Sequence, residues 1–193
     1  MTVMQKDDQR DIYSNLWDRP GFLVRRLHQI HISLFYDEYS EEKITPVQYG
    51  LLSILANLPC IDQMTLSAEL GIDRTNVGDV VRRLESRGLV LRLSNPDDGR
   101  ARLVSITKKG LGFLRRTHSA MQHTQDRLLA PLPEQDRLLF LDLLRRLVEA
   151  NNDLGRTSLR PNFGHLPAKA VSAVGSLEQD ANPSGNGKAE FEK

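Results

Sequence analysis

Two short stretches with apolar stripes, separated by Gly71-Ile72-Asp73, are followed at once by two strand-like runs around a polar turn. No other feature of the chain constrains its fold as much. The first stretch starts near Asp62 and continues from Thr65 to Leu70, with Leu66 and Leu70 on one side. It stops at Gly71, a residue suited to the left-handed position just past a helix end. Asp73 can cap the second stretch, which runs to about Arg87 and carries Val77, Val80, Val81 and Leu84 at i, i+3, i+4 and i+7 before Gly88 closes it. Leu89 to Leu93 and Arg100 to Ile106 then read as strands flanking Ser94-Asn95-Pro96-Asp97-Asp98-Gly99, a run of turn formers. A helix pair with a tight turn is common by itself. Followed by a β-hairpin, it is a winged helix-turn-helix.

The flanks are helical. From Pro20 to about Glu42 a long helix is expected, with Leu23, Leu27, Ile30 and Leu34 along one face. Pro20 fits the first turn, where its missing N–H is not needed. Thr45 is a good N-cap for a helix with Pro46 in its first position and Val47, Leu51, Leu52, Ile54 and Leu55 on its apolar side, ended by Pro59-Cys60-Ile61-Asp62. After the hairpin, Thr107 caps a helix through about Leu129. Pro131 and Pro133 interrupt the chain, and a last helix runs to Asn151 with Leu138, Leu141, Leu144, Leu147 and Val148. The fold class is therefore mainly α with a small β-hairpin wing. Residues 1–19 read as an arm and 20–151 as one domain whose DNA-binding lobe spans about 45–107. Residues 152–193, rich in Gly, Pro, Ser, Ala and Asn, read as a disordered tail with too little apolar content to offset its ordering entropy. No internal repeat is evident.

Net charge taken over all 193 residues is +1, which at first argues against a polyanionic partner. Its placement reverses that impression. Residues 73–116 hold 11 Lys/Arg and 5 Asp/Glu, a block of +6, whereas residues 1–50 hold 6 and 8 and residues 51–72 hold none and 2. One basic block in a near-neutral chain is the electrostatic footprint of a nucleic-acid contact; a solvated charged face is the alternative. Apolar runs such as Leu51-Leu52-Ser53-Ile54-Leu55-Ala56 fall short of the ~20 residues of a membrane span, and Met1 to Arg10 carry no secretory apolar core, so a cytoplasmic location is expected. A single cysteine, Cys60, excludes a disulfide framework or a cysteine-based zinc site. No P-loop, Gly-x-Gly-x-x-Gly run, His-Glu-x-x-His or Ser/His/Asp set is present, which argues against an enzyme, and no cofactor is expected.

Residues ~20–150 resemble the MarR family of winged-helix transcriptional regulators. The marks are Thr45-Pro46-Val47-Gln48-Tyr49-Gly50-Leu51-Leu52, the run from Val77 to Val90 ending Arg83-Leu84-Glu85-Ser86-Arg87-Gly88-Leu89-Val90, and the wing Asn95-Pro96-Asp97-Asp98-Gly99-Arg100 leading to Thr107. Arg19-Pro20-Gly21-Phe22-Leu23-Val24-Arg25-Arg26-Leu27-His28-Gln29-Ile30-His31 is similar to the first helix of nicotinate-degradation repressors (NicR/BpsR type). The resemblance implies a homodimer formed by the terminal helices, about 20–42 and 108–151, that binds double-stranded DNA at a pseudo-palindromic operator and represses transcription. It implies 6-hydroxynicotinate as inducer.

The face opposite the valines carries Arg74, Thr75, Asn76, Gly78, Asp79, Arg82 and Arg83. Thr75, Asn76 and Asp79 suit base edges; Arg74, Arg82 and Arg83 suit phosphates. Asp79 accepts from cytosine N4 or pairs with Arg82 or Arg83; the pairing is preferred because a carboxylate in the groove repels phosphates. Arg92, Arg100 and Arg102 surround the wing, and by resemblance Arg100 enters the minor groove while Asp98, or its neighbour Asp97, braces it. A solvated polar face is the plain alternative.

A second stripe on the first helix, Val24, His28, His31 and Phe35, joins two imidazoles to an aromatic ring. Such a set can bind a small aromatic acid, and the position of the family's effector pocket adds Tyr49. The alternatives are structural or exposed histidines, or a zinc site, for which no third ligand is evident, so no metal is assigned. Two further readings stand beside the ligand-released repressor. One is a redox-sensing repressor using Cys60, although Asp62 rather than a basic group lies close to the thiol. The other is a winged-helix protein-interaction module without DNA binding.

Overall fold

A computed structural model of the chain describes residues 16–95 and 102–155. After a 3₁₀ turn at Leu16–Asp18 come α1 (Pro20–Glu38), α2 (Pro46–Asn57), β1 (Ile61–Asp62), α3 (Gln63–Leu70) and α4 (Arg74–Ser86). They are followed by β2 (Val90–Ser94), β3 (Arg102–Ile106), α5 (Lys108–Leu129), α6 (Glu134–Ala150) and a 3₁₀ turn at Asn152–Leu154. The fold is mainly helical with a small sheet, and the helix-turn-helix and hairpin stand where the sequence puts them. Among the described residues no helix is long and apolar enough to cross a membrane.

Local chemistry accounts for the helix ends. Thr45 and Gln48 form a reciprocal capping box: the Gln48 N–H donates to Thr45 Oγ1 and the Thr45 N–H to Gln48 Oε1, both at 3.2 Å. Asp62 caps α3, accepting from the N–H groups of Met64 at 2.7 Å and Thr65 at 3.0 Å. Asp73 occupies the N-cap position of α4 without a side-chain hydrogen bond to the helix. Gly71 and Gly88 end α3 and α4 in the same way, both left-handed (φ 64 and φ 70). The Ile72 N–H reaches Ser67 O at 3.3 Å and the Leu89 N–H reaches Leu84 O at 3.0 Å, the six-to-one bond of a Schellman motif.

Two expectations need correction. The first helix ends at Glu38 rather than Glu42, because the Tyr39 side chain is drawn into the interior. Its ring stacks on Phe35 at 4.3 Å and 9°, its hydroxyl donates to Thr117 O at 2.9 Å, and the chain turns through Lys43, which is left-handed at φ 50. The stretch after Pro59 is also not all loop. Ile61 and Asp62 pair antiparallel with Val104 and Leu103, so the hairpin belongs to a three-stranded sheet ordered β1-β3-β2. A two-residue strand has no periodicity to betray it, and its partner is remote in sequence.

The described residues divide into two compact units, one from 16–50 with 112–152, the other from 51–95 with 102–111 and 153–155. The first has Phe35, Tyr39, Ile44, Tyr49 and Phe113 as its buried apolar residues. In the second, α3, α4 and the sheet are held by Leu66, Val77, Val81, Leu84, Leu89, Val90 and Val104, together with Leu51, Leu52 and Leu55. Val80, expected in that stripe, is only half-buried. The expected wing tip (Asp97, Asp98, Arg100) lies outside the described residues, as do the arm through residue 15 and the tail from 156.

Candidate nucleic-acid interface and effector site

Burial of Val77, Val81 and Leu84 at i, i+4 and i+7 fixes which face of α4 turns outward. On that outward face Thr75, Asn76, Asp79, Arg82 and Arg83 are all exposed, whereas Arg74, expected with them, falls three residues before Val77 on the valine side and is exposed only as the first residue of the helix. Thr75, Asp79, Arg82 and Ser86 fall at i, i+4, i+7 and i+11 and form the strip farthest from the buried residues. Of the alternatives open for Asp79, the geometry shows the pair with Arg82: Nη1 stands 2.8 Å from Oδ1, and both side chains remain largely open to solvent at 69% and 53%. Gly78 lies at the edge of this face, where a Cβ would meet only Gln63 Oε1, at 3.8 Å. Among the described residues nothing demands glycine there.

The hairpin is tied to the same helix. Arg92 on β2 donates through Nε to Glu85 Oε2 at 2.9 Å, and its Nη2 also reaches that oxygen. Hydrogen bonding to Arg92 holds the Glu85 carboxyl below its usual range, and the same bonds hold the guanidinium in its charged form. Arg92, which the sequence marks only as a basic group near the wing, is thus a strut between helix and sheet. The available signal is a carboxylate and an arginine on either side of the Gly88 turn. Arg102, at the start of β3, is exposed and donates Nη1 to Ser94 Oγ at 2.6 Å. A neutral hydroxyl leaves its charge intact. Asp98 and Arg100 fall within residues 96–101, outside the described residues.

The expected effector residues all belong to the other unit. His31, half-buried, lies 6.4 Å from the Phe35 ring, and Phe35 meets Tyr49 edge-on at 6.2 Å and 76°. His28 and Val24 stand at the surface. Phe35 is 0% exposed and Tyr49 is buried, both packed around Tyr39. Sequence periodicity misses Tyr39 because it carries the first helix straight past that residue. Burial first, and the neighbouring His28 second, push His31 below the ordinary imidazole range. Burial, with Tyr49 alongside, pushes the Tyr39 phenol well above its ordinary value, so it acts as a hydrogen-bond donor. A polar cluster that periodicity does not reveal joins α1 to α5: Glu38 Oε1 lies 2.9 Å from both His123 Nδ1 and Arg127 Nη1. These hydrogen bonds, His123 first and Arg127 second, lower the Glu38 carboxyl.

Cys60 is half-buried in the turn before β1, with left-handed backbone at φ 59. Among the described residues no group of three or more His, Cys, Asp or Glu side chains is placed to hold a metal ion.

Residues 44–101, from the α2 cap through the wing, match the model of the MarR family. A Thauera aromatica protein described as a putative transcriptional regulatory protein for the hcr operon is 31% identical over 112 residues, 58% of this chain and 68% of its own length. The Streptomyces coelicolor transcriptional regulator PcaV, solved in complex with its natural ligand, is 37% identical with a TM-score of 0.63, over 69% of this chain and 94% of that one. The transcriptional repressor CouR, solved bound to a 23-mer DNA duplex, is 27% identical with a TM-score of 0.66, over 70% of this chain and 96% of that one. The helix pair, the wing and these relatives agree, and the chain is a member of the MarR family of transcriptional regulators.

Proposed function

We propose that this regulator is a homodimeric repressor that binds a pseudo-palindromic operator and is released by a small aromatic carboxylate such as 6-hydroxynicotinate. The observation that carries the DNA reading is the outward face of α4. Two arginines and three short polar side chains project from a helix whose opposite side is anchored by Val77, Val81 and Leu84, and Arg74 adds a third exposed arginine at the helix start. In this reading Thr75, Asn76 and Asp79 approach base edges, Arg74 and Arg83 take phosphates, and Arg102 with Arg100 and Asp98 serves the wing. Membership of a regulator family, with a DNA-bound structure among its solved relatives, supports the same assignment.

Dimerisation is favoured by apolar surface that nothing within the described chain covers. No residue of α6 is buried, and Leu138, Leu139, Leu143, Leu147 and Val148 are exposed on it, as are Leu23 and Ile30 on α1. Apolar patches of this kind mark interaction surfaces. A second copy brings a second α4, with half-sites about 34–36 Å apart on one DNA face.

For the effector, His31 is the member of the set that is not sealed into the core while still contacting it. Its lowered pKa makes it neutral in the free protein near neutral pH. A bound carboxylate favours the imidazolium, so binding takes up a proton, against the opposing influence of His28. Ligand affinity therefore rises as pH falls from the bound-state pKa toward the lower free-state value. Titration calorimetry with 6-hydroxynicotinate from about pH 8 to about pH 6 is expected to show this rise, and His31→Gln to flatten it. A gel shift on operator DNA unaffected by saturating ligand contradicts the effector reading and leaves the DNA reading intact.

A further inference from the structure

We infer that Asp79 and Arg82 act as one base-reading unit, in which the carboxylate orients the guanidinium toward a guanine of each half-site. The inference rests on the DNA-binding reading above and assigns Arg82 a different task from the phosphate contact its charge alone suggests. On α4 the two residues occupy the strip farthest from the buried Val77, Val81 and Leu84, joined at 2.8 Å while largely open to solvent. An exposed i, i+3 pair contributes little to stability, so the fold itself gives no reason for it.

A phosphate contact draws its benefit from uncompensated charge and counterion release, which a carboxylate at 2.8 Å largely cancels. Reading a base requires orientation instead. Of the five N–H donors of a guanidinium, Arg82 gives one Nη1 hydrogen to Asp79, and the remaining donors still match the O6 and N7 acceptors of guanine in the major groove. Holding the long side chain before DNA arrives removes part of the rotamer entropy otherwise lost on binding. The spare Asp79 oxygen is meanwhile positioned to repel phosphate and to accept from a cytosine N4 amine.

Other basic groups of this unit differ in the way such a division of labour requires. Arg74 and Arg83 show no ion pair among the described residues, and Arg102 bonds the neutral Ser94 hydroxyl, so these three keep full charge for the backbone. Arg92 is also neutralised, by Glu85, but that pair bridges α4 to β2 with side chains 34% and 36% exposed, against 69% and 53% for Arg82 and Asp79, which makes it structural.

The test is selection of bound duplexes from a random-sequence pool by the full chain and by Arg82→Lys, Asp79→Ala and Arg83→Lys, with thermal unfolding of each to establish that the fold is intact. The wild-type chain is expected to enrich one G·C pair at the same place in each half-site, discriminating against other pairs by roughly 5- to 150-fold. Arg82→Lys retains the charge but loses the fork, so preference falls toward unity at that position only. Asp79→Ala relaxes the same position while affinity for random duplex holds or rises, because a negative charge has gone. Arg83→Lys leaves every preference unchanged. If Arg82→Lys weakens all sequences alike, or Asp79→Ala leaves the G·C preference intact, the pair is not a reading unit. A folded wild-type chain that enriches no sequence instead overturns the DNA-binding reading on which the inference stands.

Discussion

Asp62 illustrates how much one side chain settles. Burial raises its carboxyl, but hydrogen bonds from Thr65 (N–H and hydroxyl) and the Met64 N–H outweigh it, and the group ends below its ordinary range. A depressed carboxylate contributes stability that is present above the unfolded pKa of about 3.9 and is lost as pH falls through the folded value. Asp62→Ala is expected to cost ~1 kcal/mol in urea unfolding at neutral pH, with the difference from wild type shrinking in acid. An undiminished difference in acid contradicts the cap. Gly110 is the opposite case, because by propensity a helical glycine is a mild weakness. A Cβ there would stand 2.2 Å from Leu89 O and 2.7 Å from Ile106 Cγ1. The first is a backbone atom already accepting from the Thr107 N–H at 3.1 Å, so it cannot retreat cheaply. Gly110→Ala is expected to lower stability by about 1–3 kcal/mol, read as a fall in Tm, although alanine is the better helix former.

At the scale of elements, legibility follows the range of the interactions involved. Gly71, Gly88, Thr45, Asp62 and Thr107 act on residues within a few positions of themselves, so helix starts and stops are readable directly. Thr107 Oγ1, for example, accepts from the Gly110 N–H at 3.0 Å. The valine stripe of α4 is equally readable, since one helix face needs only one helix. What escapes such reading depends on partners far along the chain: β1 on β3, the end of α1 on the burial of Tyr39 and its bond to Thr117, and Glu38 on His123 and Arg127. The candidate interface on α4 is legible as a set of exposed residues, but which arginines are paired is not. Arg92 and Arg82 look alike in the sequence and differ in space, one tied across to the helix and one held along it.

At the scale of the whole molecule, the +6 block and the near-neutral total describe different things. The total averages over flanks that carry their own acids, while residues 73–116 concentrate basic residues on α4, the hairpin and the start of α5. In the function proposed above, the exposed leucines of α6 are the surface that meets a partner chain. Leu143→Glu combined with Leu147→Glu places charge on that face without touching a buried residue, since none exists on this helix. The double variant is expected to sediment as a folded monomer and to lose most operator affinity, because one half-site contact replaces two. The central claim, a dimer reading two half-sites of DNA, is tested most directly by sedimentation equilibrium of the full chain with a selected duplex at two salt concentrations. Two chains per duplex, with affinity falling steeply as salt rises, is the predicted result. A single chain per duplex, or binding indifferent to salt, contradicts the account.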